Sequence, residues 1–122
     1  MKAFVKILPL VCLSVCAAGA ALAEDSAKAK SDNYKVLLEN DRVRVLEFRD
    51  QPGDKEDMHS HPDYVVYVVS DFKRKFTGPD GKTNEAEGKA GQAVWRDAEF
   101  HSGENIGTTG THVILIELKE EK

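Results

Sequence analysis

The chain has 122 residues, 31% of them charged, and a formal net charge of −4. This length is enough for one domain with a modest core. The acidic balance argues against nucleic acid or an anionic membrane surface as a partner, because both attract basic proteins. The short basic cluster Lys73-Arg74-Lys75 is too small to reverse that balance.

Residues 1–23 have the pattern of a secretory signal peptide. Two lysines precede an apolar run over residues 7–22, which is short for a bilayer span, and Ala21-Leu22-Ala23 has the small residues of a cleavage site. Lipidation at Cys16 is a minor alternative, since the residues before it weakly resemble a lipobox. We therefore expect a periplasmic or secreted protein that has no membrane contact after cleavage and no disulfide, because both cysteines lie in the removed segment.

Polar residues 24–33 carry no apolar stripe and are predicted to be a flexible leader. Residues 34–39 and 42–49 then flank Asn40-Asp41, which indicates a β-hairpin. The apolar phase of the second segment changes between Val45 and Leu46, which predicts a bulge or burial on both faces. A continuous β-branched and aromatic run over residues 64–69 predicts a strand that is covered on both sides.

The remaining chain continues the same pattern up to a charged tail at residues 120–122. Further short segments at 72–76, 83–87, 93–96, 100–102 and 112–119 are separated by turn residues, and no helical period is sustained. The pattern predicts a single all-β domain over residues 34–119, a sandwich or barrel. We expect its aromatic residues to fill the interior, namely Phe48, Phe72, Phe76 and Trp95.

Histidines are the strongest candidates for chemistry. His59 and His61 are two residues apart on an extended segment, so their side chains point to the same face. Imidazole is the commonest protein ligand for transition metals, and two rings on one face can share an ion. His101 lies in a later glycine-rich segment and is the third candidate. His112 begins the last segment and is predicted to be a histidine at the rim without a ligand role.

Two motifs in this chain resemble those of the cupins. The first cupin motif begins with Gly, five residues and His-x-His, as do Gly53 and His59-Ser60-His61 here. The second ends in His, three residues and Asn, as do His101 and Asn105. The resemblance covers nearly all of residues 34–119, although Arg96 and Ala98 replace the usual Pro and Gly of the second motif and one spacer residue is missing. The flanking sequence also resembles small single-domain cupins, including one of β-alanine degradation.

This resemblance implies a double-stranded β-helix, an RmlC-like jelly roll that closes into a conical barrel. It also implies a divalent transition metal (Fe, Mn, Ni, Zn or Cu) on His59, His61 and His101. Aligning the following strand puts Tyr64 where cupins usually place a metal-binding Glu, while counting spacer residues gives Val65 or Val66. Since none of these is Glu, the implied ligand set is three histidines, as in thiol dioxygenases. Tyr64 is then a candidate catalytic residue that donates a hydrogen bond to a small-molecule substrate.

The sequence is compatible with two functions. One is a metal-dependent, dioxygenase-like enzyme for a small anionic molecule, and the other is a non-catalytic module that binds a metal or a small ligand. Glu99 and Glu104 flank His101 and are candidates for holding its second ring nitrogen. Because many cupins dimerise through sheet edges, a homodimer is also expected.

Overall fold

The computed structural model describes residues 24–25 and 32–120, which consist of strands and their connections. The predicted signal peptide and the last two residues of the predicted tail lie outside the described residues. In the described part, no helix is long and apolar enough to cross a membrane.

The described residues form two five-stranded sheets. The first has the strand order β1-β4-β9-β6-β7 and the second β2-β3-β10-β5-β8. The strands are β1 (Glu24–Asp25), β2 (Tyr34–Glu39), β3 (Val43–Arg49), β4 (Lys55–His61), β5 (Tyr64–Ser70), β6 (Phe72–Thr77), β7 (Thr83–Gly88), β8 (Ala93–Arg96), β9 (Glu99–Asn105) and β10 (His112–Leu118). The prediction of an all-β domain is therefore confirmed. Strand β1 comes from the predicted leader and pairs in parallel with β4, which the polar composition of that segment did not predict.

The hairpin of β2 and β3 turns where the sequence predicts it. The side-chain oxygen of Asn40 accepts hydrogen bonds from the backbone nitrogens of Arg42, at 2.8 Å, and Val43, at 2.9 Å. The register of the pair shifts between Val36 and Leu38, opposite the point where the apolar phase of β3 changes. The extra residue of the bulge therefore belongs to β2, while β3 remains regular.

The two sheets contribute opposite chemistry to the interior. The second sheet supplies the apolar core, which consists of Leu46, Phe48, Tyr64, Val68, Val113 and Leu115. The buried side chains of the first sheet are polar or charged; they are Glu56, His59, His61, Arg74, His101 and Asn105. Since buried polar groups are costly unless they are paired, the inner face of this sheet is the candidate location of a functional site.

Two predictions about burial are wrong. The outer face of β5 is open, since Tyr67 is 44% and Val69 39% exposed. Trp95 is 52% exposed and pairs in register with Val65 on the outside of the second sheet. Strand β8 has only four residues, and its alternation points Trp95 outward. The other aromatic residues predicted for the interior, Phe48, Phe72 and Phe76, do line it.

Candidate metal centre

A β-bulge in β4 brings an acid and two histidines to one face. The register with β9 shifts between Glu56 and His59, so Glu56 pairs with Gly103 while His59 pairs with His101. In a regular strand, residues three apart point to opposite faces. The extra residue of the bulge restores Glu56 to the inward face, and Glu56, His59 and His61 are all buried.

The three predicted histidines meet inside the barrel. His59 and His101 are cross-strand neighbours, with ring centroids 4.7 Å apart, and His61 lies 4.8 Å from His59 and 5.0 Å from His101 by the same measure. One ring nitrogen from each histidine lies within 4.8 Å of the others. This spacing allows three imidazoles to bind one ion.

The second ring nitrogens of His59 and His61 face acceptors on the protein. Nδ1 of His59 lies 2.7 Å from the backbone oxygen of Asp57, and Nδ1 of His61 lies 2.9 Å from Oε2 of Glu117. Nδ1 of His101 is buried and has no hydrogen-bond partner among the described residues, and a carboxylate oxygen of Glu99 lies 3.5 Å from it. Outer partners of this kind fix the tautomer and the orientation of metal-binding histidines.

These contacts assign the protons of two of the rings. An imidazole nitrogen that faces a carbonyl or a carboxylate oxygen must donate, so Nδ1 of His59 and of His61 carries the proton. Burial would raise the pKa of Glu117, but hydrogen bonds from His61 and Arg44 lower it, so this acceptor is ionised. The Nε2 atoms of His59 and His61 lie only 3.0 Å apart.

When both rings are neutral, the two Nε2 lone pairs repel each other at that distance unless a cation lies beside them. Burial lowers the pKa of His59, which favours the neutral ring over an imidazolium. The donor set therefore fits a transition metal ion, which binds imidazole through an unprotonated nitrogen.

Tyr64 lies against the histidines, with its hydroxyl already engaged. Its ring stacks on His61 at a centroid distance of 4.5 Å, and its hydroxyl donates to Oε1 of Glu99 at 2.5 Å. Burial and the neighbouring carboxylate raise the pKa of Tyr64, so the phenol remains protonated at neutral pH. Burial would raise the pKa of Glu99 as well, but His101 and the hydrogen bonds that Glu99 accepts hold it below its usual range.

A second buried polar network lies beside the histidines. The Arg74 guanidinium forms ion pairs with Asp50 and, at 2.6 Å, with Oε1 of Glu56. The other oxygen of Glu56 accepts a hydrogen bond from the Tyr34 hydroxyl at 2.6 Å and lies 3.6 Å from Nε2 of His59. Glu56 is therefore a paired carboxylate at the edge of the histidine cluster.

The sequence pattern does not predict Glu56 and Glu117 as partners of the histidines. The bulge hides Glu56, because a period of two places it on the face opposite His59. Glu117 had a readable signal: it alternates with Val113 and Leu115, and a charged residue on the apolar face of a strand needs a buried partner.

The other polar candidates take structural positions. His112 lies outside the histidine cluster, with Nε2 3.0 Å from a carboxylate oxygen of Glu47. Glu104 forms an ion pair with Lys75 at 3.2 Å and does not reach His101. Asn105 ties the loop that follows β9, since its side chain donates to the backbone oxygen of Thr109 at 2.9 Å.

The histidines open into a cavity of about 160 Å³ between the sheets. Its far wall is the apolar face of the second sheet, with Val66, Val68, Val113 and Leu115. Residues of β7 and β8 line it as well, and each of these strands ends its sheet. The cavity therefore extends to the strands that end the two sheets.

Known structures with the same architecture come from several organisms. A cupin domain from Bordetella pertussis superposes with a TM-score of 0.66 at 28% identity, over 71% of this chain and 92% of that one. An RmlC-like cupin with a double-stranded β-helix fold from Methanocaldococcus jannaschii gives 0.56 at 15% identity, over 70% and 78%. The polyketide cyclase RemF from Streptomyces resistomycificus gives 0.53 at 21% identity, over 71% and 64%.

At the level of sequence, no protein-family profile matches the chain, and no curated protein does. The structural likeness agrees with the two motifs around His59 and His101 and with the two facing sheets. The chain has the cupin fold, an all-β double-stranded β-helix.

Proposed function

We propose that this protein binds a divalent transition metal ion through His59, His61 and His101. The observation that carries the proposal is the convergence of three buried histidines, with one ring nitrogen of each within 4.8 Å of the others. An ion bound there would supply a Lewis acid with coordination positions left for a ligand. A site of three imidazoles does not by itself select among Fe, Mn, Ni, Zn and Cu.

Metal content after purification tests this proposal. Wild-type protein should hold close to one metal ion per chain, and His59→Ala should lose it. His112→Ala is the matched control, because this histidine also pairs with a glutamate but lies outside the cluster. Equal metal content in all three proteins would refute the site.

The first candidate activity is an oxygenase-type reaction on a small anionic substrate. Three neutral imidazoles leave the full charge of the ion in place, which favours an anionic ligand. In this activity the Tyr64 hydroxyl would give up its hydrogen bond to Glu99 and donate one to the substrate instead. Oxygen uptake with small thiols, carboxylates and diketones tests the activity, and Tyr64→Phe should reduce turnover while metal content stays unchanged.

A specific observation favours a second candidate, a non-catalytic module that binds a metal or a small ligand. The acids and bases around the cluster are already paired: Tyr64 with Glu99, Glu56 with Arg74, and Glu117 with His61. Such pairing favours a preorganised binding site over proton transfer. Ligand-dependent thermal shifts without oxygen uptake would select this candidate.

We also propose that the protein is exported to the periplasm or beyond and acts there without nucleic-acid or membrane partners. The support is the pattern of residues 1–23 and the acidic charge. The amino-terminal sequence of the exported protein should begin near residue 24. A homodimer is proposed from the strands that end the two sheets of the described residues, and sedimentation tests it.

A further inference from the structure

The cavity divides into a charged side and an apolar side. The histidines, Glu56 and Arg74 come from the first sheet, and the wall opposite them on the second sheet is largely apolar, with Arg96 on the edge strand β8 as its charged member. A ligand that fills this space therefore contacts the metal-binding face with one end and the aliphatic wall with the other. Pockets with few polar groups and a large apolar wall orient their ligands in this way.

The charged side chains that face the interior do not balance each other. Four carboxylates face three guanidinium groups, each side chain being at least two-thirds buried; they are Asp50, Glu56, Glu99 and Glu117, and Arg44, Arg74 and Arg96. Glu87 also lines the cavity but is exposed to solvent, so it is left out of this count. The interior thus has one negative charge in excess, and with a divalent ion it has one positive charge in excess. A buried excess charge is unfavourable, so one anionic charge on the ligand restores neutrality.

The size of the cavity limits the apolar part of the ligand. An engineered apolar cavity of about 150 Å³ accommodates benzene, and the cavity here is of about 160 Å³. Phe72 lines this cavity, and its ring lies over Gly88 so closely that a Cβ there would come within 2.2 Å of it. Glycine at position 88 therefore lets the ring lie against β7, where it limits the space beside this strand.

We infer that the metal-loaded site binds a small monoanion with an apolar body of about the size of a benzene ring. This inference rests on the proposed metal site. The anionic head lies at the histidines, and the body lies against the aliphatic wall and Phe72. A dianion, a neutral molecule of the same shape and an anion without an apolar body each lack one of these complementary features.

Four probe molecules separate these features in protein produced from the full chain and loaded with Co²⁺. Benzoate should bind about tenfold or more tightly than neutral benzamide, the dianion phthalate or acetate, as measured by calorimetry and by the visible absorption of Co²⁺. The protein without metal should not bind benzoate, because its interior is already negative. Co²⁺ binding without a preference for benzoate would overturn the inference and leave the metal site intact. Failure to bind Co²⁺ would overturn both.

Enlarging the cavity at Phe72 tests the size of the apolar body. Phe72→Ala should shift the preference from benzoate toward 2-naphthoate, because the body then extends into the space of the lost ring. Phe100→Ala is the matched control, since Phe100 is 46% exposed and does not line the cavity. An unchanged ratio of the two affinities in Phe72→Ala, with Co²⁺ binding intact, would show that the body lies elsewhere and overturn the inference.

Discussion

Nδ1 of His61 donates to Oε2 of Glu117 across 2.9 Å, and the two residues belong to opposite sheets. The carboxylate is itself held by Arg44, whose Nη2 lies 2.6 Å from Oε1. The orientation of one proposed metal ligand therefore depends on the spacing of the two sheets.

Glu117→Gln should weaken metal binding about 10- to 100-fold, the usual effect of removing an outer carboxylate from a metal-bound histidine. Affinity measured by competition with a chelator checks this. Glu47→Gln is the control, because Glu47 contacts His112 in the same way at 3.0 Å, and it should leave the affinity unchanged. Equal losses in the two variants would mean that the effect is general destabilisation.

Arg74→Met should lower the free energy of unfolding by about 3–5 kcal/mol, because it leaves the buried Asp50 and Glu56 without their cation. Urea denaturation measures the loss. Lys75→Met removes the neighbouring, half-exposed pair with Glu104 and should cost at most about 1 kcal/mol. A loss of similar size in both variants would contradict the burial of the network.

Two of the three tyrosines should not ionise while the protein is folded. Burial raises the pKa of Tyr34, as does the nearby Glu56 carboxylate, and burial and Glu99 raise the pKa of Tyr64. Unfolded tyrosine ionises at about pH 10, so the unfolded chain loses these protons first. Stability should be unaffected by these groups below that pH and fall as the pH rises above it.

Phenolate absorption of Tyr67→Phe isolates the two buried groups, because Tyr67 is the exposed tyrosine. Its absorption should appear together with the loss of β-sheet circular dichroism at alkaline pH. Phenolate that appears before unfolding would show that one of the two phenols is accessible.

Trp95, the single tryptophan of the chain, should behave as a surface fluorophore. It is 52% exposed and its indole nitrogen donates to Asp97 at 3.0 Å. Acrylamide should quench the folded protein nearly as well as the urea-unfolded chain. Strong protection of the folded protein would place the ring in an interface, for which a dimer is the first candidate to test by sedimentation.

Features that depend on residues close together in the sequence were predicted correctly. The hairpin at Asn40 and the shared face of His59 and His61 depend on neighbours in the chain, and local patterns predict them. The approach of His101 was implied by the cupin resemblance, and the pairing of β4 with β9 produces it.

The failures arose where one residue changes the phase of a strand. Glu56 was missed because the bulge reverses its face, and Trp95 was misplaced because a four-residue strand is too short to reveal which face is inward. The contact of Glu117 with His61 joins residues from different sheets, and only the assembled fold specifies such a pair.

The bulge of β4 has a further consequence for how this site can change. Shortening the segment between Glu56 and His59 by one residue would turn the glutamate to the surface and leave Arg74 with one partner fewer. The charge of the interior would then rise by one without any substitution among the histidines. Length variation at Asp57 and Met58 is thus a direct route by which relatives of this chain could acquire a different ligand preference.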